Sequence, residues 1–100
     1  MRLGIAEEIA AKAVVKDGLA GERAASGEVE IAVQQMSELK PVAGIDIVGP
    51  LPAELQATTL FTAAIFTAST RAGEAAAVID KLTAPELDAL FRSKGLEPAR

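Results

Sequence analysis

Gln34, Gln35 and Ser37 place two amides and a hydroxyl within four residues, at the end of an apolar segment, 29–33, that reads as a strand. In open α/β sheets small ligands gather beyond the carboxyl ends of strands, where loops and helix N-termini expose backbone N–H groups. Amide and hydroxyl donors at such a place suit a small oxyanion, held by hydrogen bonds rather than by full positive charge. A structural reading stands beside this one. Ser37 also fits as the cap of a short turn starting at Glu38, and surface glutamines are commonly just solvated.

The carboxylates offer less. Glu28 and Glu30 lie two apart on the same segment and would share a face of a strand. That is the geometric minimum for an acid–base pair, and Glu7 with Glu8, or Asp80 near Glu86, adds nothing stronger. The chain has no His, Cys, Tyr or Trp, which excludes a Ser-His-Asp or Cys-His nucleophile, a zinc site built on imidazole or thiolate, and any disulfide. The expectation is a protein that is not an enzyme and holds no metal or cofactor. Asp46, between Ile45 and Ile47, reads as the solvent-facing residue of another strand. Lys40 and Arg71 are single cations, and neither belongs to a phosphate-binding loop.

The elements that would position these groups must be built from small residues. Half of the 100 residues are hydrophobic but only Phe61, Phe66 and Phe91 are aromatic, so Ala, Val, Ile and Leu supply the packing. A net charge of −4 with no block of like charge lacks the basic footprint of a nucleic-acid binder or of a membrane-surface helix. The longest uncharged stretch, 55–70, is interrupted by one Gln and five Thr, and it is too short and polar to span a bilayer. Met1-Arg2-Leu3 leads straight into a polar helical pattern, with no signal-peptide pattern; the sequence leaves the compartment unknown, cytoplasmic only as written.

Hydrophobic spacing predicts a helix over 3–11, with Leu3, Ala6, Ile9 and Ala10 on one face, and a second over 19–25 that tolerates Gly21. Residues 13–15, 29–34, 45–48 and 58–67 read as strands, the last apolar on both faces and therefore covered on both sides. Gly49-Pro50-Leu51-Pro52 forms a corner that a ladder cannot cross. Thr70 is placed to cap a helix with the stripe Ala75, Val78, Ile79 and Leu82. Thr83, Pro85 and Glu86 have the spacing of a capping box for a final helix carrying Leu87, Leu90 and Phe91. Gly95-Leu96 fits a left-handed stop with its hydrophobic contact. The order predicts an α/β fold: a three-layer-like mixed sheet of about four strands with flanking helices.

Three stretches, SGEVEIAVQQMSEL, IDIVGPLPAELQ and KLTAPELDALFRSKGLEPA, resemble the C-terminal part of periplasmic solute-binding proteins of the molybdate-binding type, within the type 2 periplasmic-binding-protein superfamily. The similarity runs from about residue 3 to 99. It implies a partial fold of that type, with 1–42 as the end of lobe two, 43–52 as the crossover and 53–100 as the closing part of lobe one. Such proteins are periplasmic ABC-transport components that close two lobes around an anion, here through Gln34, Gln35 and Ser37. Where the family carries Tyr-Gly-Ser-Asp, this chain has Gln35, Met36, Ser37 and Glu38, of which Ser37 alone matches. Exposed sheet edges in such a portion imply completion by oligomerisation, a homodimer formed by strand or segment exchange. The alternative function is association itself, with no ligand binding retained.

Overall fold

The computed structural model describes residues 3–99, and the reading of Met1-Arg2 as a start without an export signal lies outside them. The chain divides into two units, Met1–Ala57 and Thr58–Arg100. The Gly49–Pro52 corner falls inside the first.

Among the described residues three helices form in the first unit: α1 (Ala6–Lys12), α2 (Ala20–Ala25) and α3 (Met36–Leu39). α1 carries Glu7 and Glu8 in its first turn and Lys12 in its last, charges that suit the positive and negative ends of the helix dipole. α2 is held closer to its neighbours than a helix with side chains all round would permit. A Cβ built on Gly21 would stand 3.1 Å from Cδ1 of Ile45 and 3.2 Å from Cγ2 of Val42. Gly21 is the one buried residue of α2. The glycine that weakens this helix intrinsically is therefore what lets its backbone lie against Val42 and Ile45.

The second unit holds α4 (Ala72–Leu82), a 3₁₀ turn (Pro85–Leu87) and α5 (Asp88–Ser93). Along the anticipated stripe of α4, Ala75 and Ile79 are half-buried, whereas Val78 is 58% and Leu82 50% exposed. α5 ends as its sequence requires. Leu96 N–H donates to the Phe91 carbonyl at 3.0 Å and Gly95 N–H to that of Arg92 at 3.1 Å, with Gly95 at φ 85°. This is the Schellman pattern, and the left-handed position at its centre is one that glycine occupies without strain.

Two caps differ from expectation. The N-cap of α4 is Arg71 rather than Thr70; the Ser69 hydroxyl accepts the Arg71 N–H at 3.2 Å, and the Arg71 guanidinium pairs with Glu74. Thr83 finishes α4 instead of starting the next helix. Its hydroxyl donates to the Ile79 carbonyl at 2.9 Å, one turn back, as a helical threonine can. Ala84 precedes the 3₁₀ turn, so the capping box does not form, and Glu86 pairs with Lys81 at 3.4 Å. Ser37 likewise sits inside α3, whose N-cap is Gln35 and has no side-chain cap bond.

The mixed sheet of about four strands is not present. Among the described residues there is no strand, and 13–15, 29–34, 45–48 and 58–67 form no ladder with one another. The reason is physical: a helix finds its hydrogen-bond partner four residues away, but a strand exists only beside another strand. β-branched composition marks residues able to join a sheet without supplying the neighbour. Many of their large side chains accordingly remain in solvent: Val15 is 92%, Ile31 80% and Phe66 87% exposed, while Val29 and Ile45 are half-buried and no large hydrophobic residue among those described is fully buried.

Candidate functional site

The polar groups that come together lie around the start of α2. Gln34 is half-buried and reaches back across fourteen residues. Its Oε1 accepts the N–H of Ala20 at 2.8 Å, and its Nε2 donates to the Gly18 carbonyl at 3.3 Å. Ala20 is the first residue of α2, so this N–H has no partner within the helix. The amide thus caps α2 from a distance, a task Leu19 at the N-cap position has no side-chain oxygen to perform.

On the other side of the same loop, Arg23 gathers the chain around itself. Its guanidinium donates to the Asp17 carbonyl at 3.0 Å and to Glu28 Oε2 at 3.3 Å. Its own carbonyl accepts the N–H groups of Glu28 at 2.9 Å and Val29 at 3.3 Å and the Ser26 hydroxyl at 3.0 Å. Lys16 completes the bridge, with Nζ 3.1 Å from Glu28 Oε1. The hydrogen bond from Lys16 is the largest influence on Glu28 and holds its carboxyl below the ordinary value; desolvation opposes this, and the charges of Lys16 and Arg23 add to it. A carboxylate fixed in its ionised form between two cations is a structural anion and a poor proton carrier.

Asp17, Gly18, Leu19, Glu22, Arg23, Ser26 and Glu28 line a recess of about 250 Å³. Asp17, Glu22 and Glu28 bring three carboxylates there, against the Arg23 guanidinium and the Lys16 ammonium, both already engaged by Glu28.

The three residues singled out from sequence separate into two roles. Both polar ends of Gln34 are bonded within the chain. Gln35 is exposed, and its backbone carbonyl accepts the N–H groups of Glu38 at 3.0 Å and Leu39 at 3.1 Å to open α3. Ser37 is half-buried in the first turn of that helix. Arg23 and Lys16 were not anticipated. The available signal was the spacing of Arg23 and Glu28 across the Ser26-Gly27 turn, which brings opposite charges together around a reversal. Among the described residues no group of three acidic side chains is arranged to hold a metal ion, and no helix is long and apolar enough to cross a membrane.

The family model described as bacterial extracellular solute-binding protein matches residues 1–97, and the chain belongs to that family. It is also similar to an aconitate isomerase from Pseudomonas sp., with 38% identity over 74 residues. That alignment covers 74% of this chain and 28% of the relative, so the chain spans well under a third of that protein's length. No solved structure matches.

Proposed function

We propose that the chain contributes to binding a small anionic solute for ABC-type transport, by recognition and not by catalysis. The family match over residues 1–97 carries this reading, since it contains the whole segment 34–37. Gln34 positions the segment by clamping Gly18 and Ala20, and Gln35 and Ser37 donate hydrogen bonds to the ligand. The molybdate-type oxyanion is one form of that ligand. The carboxylate groups of aconitate, the compound in the name of the similar isomerase, are the other. Lack of His, Cys and Tyr supports binding over proton transfer at carbon.

Titration calorimetry with molybdate and, separately, with aconitate distinguishes the two ligand forms. Gln35→Ala and Ser37→Ala are each expected to weaken binding roughly tenfold, the loss of about one charge-assisted hydrogen bond. Silence with both anions, or variants that bind like the parent, contradicts the reading. Proton NMR of aconitate incubated with the chain should show no isomerisation, and turnover would replace recognition with catalysis.

A second reading, association without a ligand, is favoured by a specific observation. Val15, Ile31, Val48 and Phe66 are each at least 80% exposed, which is apolar surface that a partner would cover.

A further inference from the structure

The chain exposes 8379 Å². Two separate compact globules of the sizes of its two units would together expose only about 6,400 Å². The excess, about 2,000 Å² per chain, is more than twice the ~800 Å² that each partner contributes to an interface of standard size.

Part of that excess lies in 58–67, Thr-Thr-Leu-Phe-Thr-Ala-Ala-Ile-Phe-Thr. The segment has no charge, no proline and no glycine. Leu60 is 64%, Phe61 67%, Ile65 36% and Phe66 87% exposed. Among the described residues no backbone hydrogen bond outside the helices begins or ends between Thr58 and Ile65, and the first one met is that from Ser69 N–H to the Phe66 carbonyl. The backbone from Thr58 to Ile65 is without hydrogen-bond partners and Leu60, Phe61 and Phe66 are mostly exposed, although the residue types favour a sheet.

The order of side-chain sizes is symmetric. Counting outward from Ala63, Thr62 matches Ala64, Phe61 matches Ile65, Leu60 matches Phe66 and Thr59 matches Thr67. In an antiparallel pair of identical strands related by a two-fold axis, cross-strand neighbours are residues equidistant from the axis, and they share a face. An axis at Ala63 therefore sets Phe61 against Ile65 twice on one face and Leu60 against Phe66 twice on the other. The small alanine falls at the crossing point. Moving the axis by one residue destroys the match. About Thr62, Phe61 meets Ala63 and Leu60 meets Ala64; about Ala64, Ile65 meets Ala63 and Phe66 meets Thr62. One register alone places every large apolar side chain opposite another, the arrangement that stabilises cross-strand pairs.

We propose that 58–67 is an interaction surface for a second copy of this chain, joined as a two-fold antiparallel strand pair centred on Ala63. Pairing supplies the hydrogen bonds that the single chain lacks and covers the four large side chains. The proposal is independent of the ligand reading, because it rests on surface and register alone.

The chain has no cysteine, so single-cysteine variants report the register against no background. Cα atoms facing each other across an antiparallel pair are about 4.5–5.5 Å apart, inside the ~4.4–6.8 Å a disulfide spans. Native mass spectrometry of the full chain should give twice its 10.3 kDa mass. On mild oxidation Ala63→Cys should form a covalent dimer. Leu60→Cys alone should not, since its two copies are six positions out of line, whereas mixing Leu60→Cys with Phe66→Cys should cross-link the two variants. A monomer by mass, or only aggregates of undefined size, overturns the proposal. So does Leu60→Cys cross-linking to itself as fast as Ala63→Cys, or a dimer in which neither Ala63→Cys nor the mixed pair reacts.

Discussion

The second unit contains two apolar stretches with opposite fates. Residues 72–96 form α4, the 3₁₀ turn, α5 and a Schellman stop in which each bond runs between residues a few positions apart. Residues 58–67, with no charged residue where 72–96 have seven, form no regular structure and expose Leu60, Phe61 and Phe66 to more than half of their full extent. Hydrophobicity does not explain the difference, since the more apolar stretch is the one left irregular and exposed. What separates them is where the hydrogen-bond partner lies: within one turn for the helices, and on another segment for a strand. The first stretch is complete in itself, and the second is complete only in company.

The comparison breaks first at Ala63. Replacing it by Lys sets two like charges directly opposite each other at the two-fold axis, and light scattering should then find a monomer in place of the dimer. Helical circular dichroism from 72–96 should survive this change. If both regions are lost together, they are not independent in the way described.

Gly21→Val tests the packing of the first unit. It drives a branched side chain into Val42 and Ile45, which already stand within 3.3 Å of the missing Cβ, and overpacking of this kind costs about 1–3 kcal/mol. Urea unfolding followed by circular dichroism measures it as a lowered midpoint. Gln34→Ala removes the bonds to Ala20 and Gly18 and leaves an unpartnered N–H at the start of α2, a loss of about 1–2 kcal/mol. Gly95→Ala forces a side chain into the left-handed position at the end of α5 and should cost about 1 kcal/mol. That loss should be confined to the self-sufficient stretch and leave the mass of the assembly unchanged.

The smallest effect is one of pH. Glu28 is held below its ordinary value, chiefly by Lys16, so its folded form keeps the charge to lower pH than the unfolded one. Its stabilisation is present above the unfolded value and is lost as pH falls through the folded value. The stability difference between the parent and Glu28→Gln should therefore shrink on acidification and vanish once both states are protonated. Exposure of the pair keeps it small throughout.

Legibility in the sequence follows the same division. The final helix and its Gly95-Leu96 stop were readable because their causes are local. Thr83 was misassigned because one hydroxyl suits either end of a helix, and the choice fell to the carbonyl of Ile79. The sheet was not realised because four segments with strand composition do not by themselves determine which lie side by side. At the candidate site the segment was legible but its division of labour was not. That Gln34 would be spent on Ala20 and Gly18 depends on a contact across fourteen residues, and nothing in the doubled glutamine says which of the two turns inward. Gly21 carries the same lesson in reverse, since a residue unfavourable to its own helix is what that helix needs to meet Val42 and Ile45.

Hydrogen exchange of backbone amides, compared between the parent chain and Ala63→Lys, tests the central contrast most directly. The account predicts protection over both 60–66 and 72–93 in the parent, and in the variant loss of protection over 60–66 alone. Equal exchange in the two proteins over 60–66, whether fast in both or slow in both, would contradict it.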